Sequence, residues 1–343
     1  MDAPPKIVEQ LLRALELPDS DPNLRPVHAI GIGATGAFVA SRIARDYCVA
    51  EHFSGEREIK VTVRFSNGSG SAVQRDGWSD VRGMATRFHL ANEAATDLIA
   101  MTLSEFFAPT PEAFLDFLTV AKPEPARVLS PLRKFLDLLQ LLQPMPNPYR
   151  GQTYSPVPGA IRYADENTGA QLAVMHAANI GAPVSYARAT YHAVHAFAIR
   201  APDGVRRWVR FSWRPVAGVL NTDPTKAPID NYLKQDLCDR LARGPARFTL
   251  MMTVGEPGDD PNDSSRPWPL PRLRVVMGEL SLKHVIEDEV TEKLSFNPWR
   301  LVEGIEPSND PVLQTRRDAY CVSSQRRGGA PCPFSGSSTH GGQ

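Results

Sequence analysis

Apolar and polar residues alternate with a period of two along several stretches of the chain. Ile59, Val61, Val63 and Phe65 interleave with Lys60, Thr62 and Arg64, and Met84, Thr86 and Phe88 with Ala85, Arg87 and His89. This is the pattern of strands with one buried face. Residues 170–176, 193–199, 206–213, 247–254 and 273–282 carry further strand-like runs, separated by turn residues such as Pro202-Asp203-Gly204. A helical period replaces this one over 4–17, where Ile7, Leu11, Leu12 and Leu15 recur, and over 111–121, 128–142 and 230–242. Strands joined by short turns predict antiparallel pairing. The expected class is α+β: a large antiparallel β-barrel or sheet with α-helices packed outside.

Three segments follow from this pattern. Residues 1–22 read as an N-terminal helix and a linker, and 23–328 as the barrel domain. The stretch 329–343, low in apolar content, is expected to be a disordered tail. No internal repeat is visible.

One stretch points elsewhere. Gly31, Gly33 and Gly36 fit G-x-G-x-x-G, after a strand-like V-H-A-I and before a helix-like A-F-V-A-S-R-I-A-R, with Glu51 about 20 residues past the first glycine. A dinucleotide fold, however, needs near-continuous apolar strands alternating with crossover helices. The strands here alternate in polarity and several are consecutive, which disfavours a nicotinamide-dependent dehydrogenase.

Composition narrows the classes further. The 343 residues are 42% hydrophobic and 22% charged, with 38 Lys+Arg against 38 Asp+Glu. A balanced charge offers no field for nucleic acid or an acidic membrane, and no apolar run is long enough for a membrane span. The acidic, amphipathic start lacks a basic n-region, so no signal peptide is expected. Cys48, Cys238, Cys321 and Cys332 are scattered without a C-x-x-C pair. That predicts neither a disulfide framework nor a zinc site, and suits a cytoplasmic protein.

Five ordered blocks then stand out: R-P-V-H-A-I-G from Arg25; V-R-F-S from Val63 with D-V-R-G-M-A-T-R-F from Asp80; D-L-I-A-M-T-L-S-E-F-F from Asp97 with Phe114 beyond it; V-H-A-F from Val194 with W-V-R-F-S-W-R-P; and F-N-P-W-R-L-V-E-G-I-E-P-S-N-D-P-V-L-Q-T-R from Phe296, leading to Tyr320. Together they resemble the haem catalase family, over about residues 23–328. The resemblance covers the barrel core alone, without the long N-terminal arm and C-terminal domain of larger catalases. It implies a barrel of about eight strands, a haem b cofactor with ferric iron, a peroxide substrate and a role in the oxidative stress response.

The resemblance also implies roles for residues. Tyr320 matches the axial ligand of the haem iron. Arg316, four residues earlier, shares its helix face, and an adjacent guanidinium favours a phenolate able to bind iron. Read without the blocks, the two are a cation–aromatic pair on an exposed helix. His28 matches the distal base that moves a proton between the peroxide oxygens, with Val27 narrowing the channel and Ser66 orienting the imidazole. Otherwise His28 is a hydrogen-bonded core histidine. Phe106, Phe107 and Phe114 would pack beside the porphyrin, or simply fill the core. Arg25, Arg64 and Arg327 match positions that hold haem propionates, for which guanidinium forks are suited. Surface solvation is the alternative, especially for Arg327. His195 resembles the histidine of the proximal side.

One position departs from the family. Read without gaps, Met101 stands where the family places a distal asparagine, and Thr102 follows it. A thioether donates no hydrogen bond and is itself oxidisable. Thr102 could supply a hydroxyl if the loop shifts. The expected function is therefore a haem peroxidase using hydrogen peroxide or organic hydroperoxides and small organic electron donors, with weak or no catalase activity. A fatty-acid hydroperoxide isomerase or dehydratase, or a haem-binding protein without turnover, are the alternatives. A homodimer is expected, and NADPH, bound by some larger catalases, has no clear site.

Overall fold

Residues 5–16, 25–70, 75–77, 80–121, 158–223 and 231–328 are described in a computed structural model of the chain. Ten strands form one antiparallel sheet. They are β1 (Gly31–Ala40), β2 (Glu58–Asn67), β3 (Arg82–His89), β4 (Ala95–Met101), β5 (Tyr191–His192), β6 (Phe197–Arg200), β7 (Arg206–Pro215), β8 (Ala246–Val254), β9 (Arg274–Ile286) and β10 (Ile305–Pro307). A pairing of β7 with β8 closes the ring β7-β5-β4-β3-β2-β1-β9-β8, so eight strands make a barrel; β6 and β10 extend it beside β7. Closure leaves the ring without an open edge.

The alternation of Ile59, Val61, Val63 and Phe65 sends these side chains into the barrel, where all four are buried. Phe38, Phe53, Phe88, Trp213 and Phe248 join them, with Phe38 edge-on to Phe53, Phe88 and Trp213. The interior is thus a packed core, and the site must lie outside it. Burial marks where: from Val61 to Asn67 both faces of β2 are covered, so the outward-facing Arg64 and Ser66 are buried too.

The three glycines of the dinucleotide-like pattern lie inside β1 rather than in a loop ahead of a helix. The strand-like and helix-like readings around them give way to one strand, and the first helix after it begins only at Ala44. Gly36 sits at a bulge against β9, where a Cβ would fall 2.0 Å from the Ser281 carbonyl oxygen. A Cβ on Gly31 would meet the Arg64 guanidinium carbon at 2.6 Å. These glycines let neighbouring chains approach closely, and none lies in a loop at a helix start.

The helices lie outside the barrel: α1 (Lys6–Leu15), α2 (Ala44–Tyr47), α3 (Pro111–Val120), α4 (Pro158–Glu166), α5 (Thr168–Asn179), α6 (Tyr232–Arg243), α7 (Asp288–Lys293) and α8 (Pro311–Arg326). α1 buries Val8, Leu11 and Leu12, and packs on α3 and α8. Residues 170–176, expected as a strand, belong to α5. The segment is Ala-rich, and Ala170 and Ala173, three apart, make its buried stripe. The helix expected over 128–142 and the tail over 329–343 lie outside the described residues. Cys48 and Cys238 are free, whereas Cys321 is in a disulfide. That corrects the reading from spacing, because pairing depends on closeness in space rather than along the chain.

Candidate haem site

α8 starts on a short-range signal. Pro311 occupies the first turn, and the N-cap Asp310 accepts hydrogen bonds from the backbone of Val312 (2.8 Å) and Leu313 (3.4 Å) through Oδ1. Its other oxygen, Oδ2, accepts from His195 Nδ1 at 2.7 Å. His195 Nε2 in turn accepts from Arg316 Nη1 at 2.9 Å, and Arg316 Nη2 donates to Tyr320 Oη at 2.7 Å. A carboxylate, an imidazole and a guanidinium thus run in sequence to the phenol oxygen. Burial, with help from the Arg316 charge and against the pull of Asp310, lowers the His195 pKa, so the ring is neutral. That matches its acceptance of a hydrogen bond at Nε2.

His28 faces the same cavity from the barrel. Its backbone has φ of 58°, a left-handed conformation unusual for histidine, and its N–H donates to Gly68 O at 3.0 Å. The imidazole Nδ1 lies 2.9 Å from Asn67 O and 3.0 Å from Ser66 Oγ. A carbonyl can only accept, so Nδ1 carries the hydrogen and Nε2 is left as the basic nitrogen. Asn67 is itself held, donating to Asp76 Oδ1 (2.7 Å) and accepting from Tyr186 Oη (2.9 Å). Burial, then the Arg64 charge, lowers the His28 pKa to about 4. The ring is therefore an uncharged base across the neutral range.

Two chambers of about 160 Å³ and 460 Å³ share Val27, His28, Ala319, Tyr320, Leu12 and Leu15 in their walls. The smaller adds Arg25, Arg64, Ser66 and Arg327; the larger adds Met101, Phe106, Phe114 and Arg316. The structure thus gathers every expected site residue but two along this cavity. His195 sits behind Arg316, and Thr102 is turned aside: its Oγ1 accepts from the Arg82 N–H at 2.9 Å. Met101 pairs with Gly83 across β3 and β4, next to His28.

Arg25, Arg64 and Arg327 converge at one end of the smaller chamber. Burial lowers the pKa of each, that of Arg25 to about 9, and the three repel one another. Repulsion among buried guanidinium groups favours anionic company. One carboxylate, Glu292, is present, so the cluster of three cations and one anion keeps a formal surplus of two positive charges. A flat dianion with its two carboxylates on one edge fits that surplus. The imidazole of His28 and the phenol of Tyr320 line the same chamber.

Gly83 and Asp310 lie inside the sequence blocks but have no assigned role there, and Asn67 and Glu292 lie outside them. Asp310 also carries a local signal, as an N-cap before proline.

The fold and this cavity define an antiparallel barrel protein with a histidine and a tyrosine facing one cavity outside the barrel. A family model described as Catalase matches residues 22–146 and 161–332. The chain belongs to the catalase family. It is 33% identical over 314 residues to a catalase-related peroxidase of Mycolicibacterium paratuberculosis, a match spanning 90% of this chain and 91% of that one. A catalase-related peroxidase of Synechococcus elongatus is 29% identical over 304 residues, spanning 88% and 82% of the two chains. Catalase A from Saccharomyces cerevisiae superposes with a TM-score of 0.73 at 24% identity, over 89% of this chain and 61% of that one. The chain thus spans about three fifths of the length of that catalase. Family membership makes the protein an oxidoreductase and implies haem and a peroxide substrate. Among the described residues no helix is long and apolar enough to cross a membrane.

Proposed function

We propose that the protein is a haem b peroxidase that reduces hydrogen peroxide or organic hydroperoxides with small organic electron donors, and that it disproportionates hydrogen peroxide poorly. Tyr320 would bind ferric iron through Oη, and Arg25, Arg64 and Arg327 would hold the propionates. When bound, haem supplies an iron centre at which a peroxide O–O bond is cleaved and oxidising equivalents are held for a donor.

The chain's own residues supply proton handling and orientation. His28 Nε2 takes the proton from one peroxide oxygen and returns it to the other, which leaves as water or, from an organic hydroperoxide, as an alcohol. Asn67 O and Ser66 hold Nδ1 so that Nε2 keeps its aim. In the same cavity, Arg316 sets a positive charge and an N–H on the phenol oxygen, the arrangement that stabilises an oxygen anion. His195 and Asp310 hold that guanidinium in place.

Met101 carries the proposal of weak catalase activity. Its thioether lies in the chamber that His28 faces, and the Thr102 hydroxyl is engaged with Arg82. The thioether has no hydrogen-bond donor, and Thr102 lines neither chamber, so the wall at this point lacks the amide N–H that would hold a second hydrogen peroxide to be oxidised. Peroxide consumption should therefore depend on an added phenolic or other organic donor. Rapid oxygen release from hydrogen peroxide without donor would overturn this.

The larger chamber also supports a second reading, rearrangement of a fatty-acid hydroperoxide. Leu11, Phe107, Phe117 and Leu118 make much of its wall apolar. Isomerised or dehydrated products formed without donor would favour it.

A further inference from the structure

Glu292 stands among the three arginines, and none of the sequence blocks includes it. Its Oε2 accepts from Arg25 Nη1 at 2.6 Å, and its Oε1 from Arg64 Nη2 at 3.3 Å. Its backbone carbonyl accepts from Arg25 Nη2 and from Arg327 Nη1, each at 3.3 Å. The Arg64 side chain is 4% exposed and that of Arg25 12%, whereas Glu292 is 35% exposed. The carboxylate therefore reaches the buried guanidinium groups from the solvent side, and it uses N–H groups that an incoming carboxylate would also need.

We propose that Glu292 is a built-in competitor for the propionate site: its side chain trades places with one propionate and so sets how tightly the chain holds its cofactor. This rests on the haem reading above. The backbone carbonyl of residue 292 is unaffected by changing its side chain. The arginines therefore keep part of their positioning when the carboxylate is removed. With glutamine there, the three guanidinium groups lose the counter-charge of Glu292. They repel one another more without a ligand and attract a dianion more strongly.

The two effects have opposite signs, which separates competition from a purely structural role. In Glu292→Gln, the full-length chain freed of haem should unfold at a lower temperature, yet titrate with ferric haem about fivefold more tightly than the parent, the scale of one partly exposed ion pair. Ferric protoporphyrin dimethyl ester, which has no carboxylates, should bind the two chains equally. Weaker or unchanged haem affinity in Glu292→Gln would overturn the proposal, as would a gain that persists with the diester. If neither chain binds haem, the cofactor reading itself fails. If both bind haem equally, only the role of Glu292 fails.

Discussion

Substituting Gly83 with alanine tests whether the aim of His28 depends on how closely β3 passes beneath its ring. A Cβ at residue 83 would fall 2.9 Å from His28 Nδ1, 3.0 Å from its Cε1 and 2.7 Å from Ser66 Oγ, where ordinary contact begins at 3.4 Å. Relief by ring movement alone needs a shift of roughly half an ångström. That would stretch the Nδ1···Asn67 bond, now 2.9 Å, beyond the usual range. A 1 Å misplacement can cost about 10²-fold in rate, so half of that should cost roughly tenfold. Overpacking should add about 1–3 kcal/mol of destabilisation. Stopped-flow absorption of the haem-loaded protein mixed with hydrogen peroxide reads the cleavage step, and thermal unfolding reads the packing cost. A Gly83→Ala protein with full haem content and a cleavage rate within twofold of the parent would refute the reasoning.

His28→Gln removes the base and should slow peroxide cleavage about 10²- to 10⁴-fold with haem still bound, measured by the same mixing experiment. Met101→Asn restores an amide donor and should raise donor-free oxygen release, read with an oxygen electrode; no rise removes Met101 as the cause. Tyr320→Phe should change the haem absorption spectrum and weaken haem retention on gel filtration, whereas Arg316→Leu should keep the haem and alter its spectrum. Burial lowers His28 and His192 to about 4 and His52 to about 3. The unfolded chain then binds more protons, so stability is full above about pH 6.5 and is lost as pH falls toward 4, by up to about 3 kcal/mol per histidine. Acid titration by circular dichroism should show that window, and His52→Leu should narrow the loss.

Legibility from sequence followed the range of the interaction. Arg316 and Tyr320 are one helical turn apart, so their shared face could be read locally, but their roles came from the resemblance of the block before them. The Asp310-Pro311 start of their helix obeys local rules that were not used. Barrel strands with clean alternation, such as Glu58–Asn67, were equally plain. The glycines of β1 matched a dinucleotide pattern that the surrounding strands already disfavoured, but the motif carries no information about what crosses over it: Gly31 and Gly36 face a guanidinium and a neighbouring strand. The 170–176 stretch misled because short apolar runs fit either period, and helix packing decided between them. Glu292 lies 267 residues from Arg25, and Gly83 matters only because β2 and β3 bring Ser66 and residue 83 side by side. No local pattern encodes such contacts.

The central claim is that His28 and Tyr320 flank a haem that reacts with peroxide and is then reset by an organic donor. The absorption spectrum of the purified full-length protein, recorded alone, after one equivalent of peroxide and after a phenolic donor, tests this directly. The account predicts a ferric haem spectrum that changes on peroxide addition and returns to its starting form with donor. A protein that takes up no haem, or whose haem spectrum is indifferent to peroxide, would contradict it.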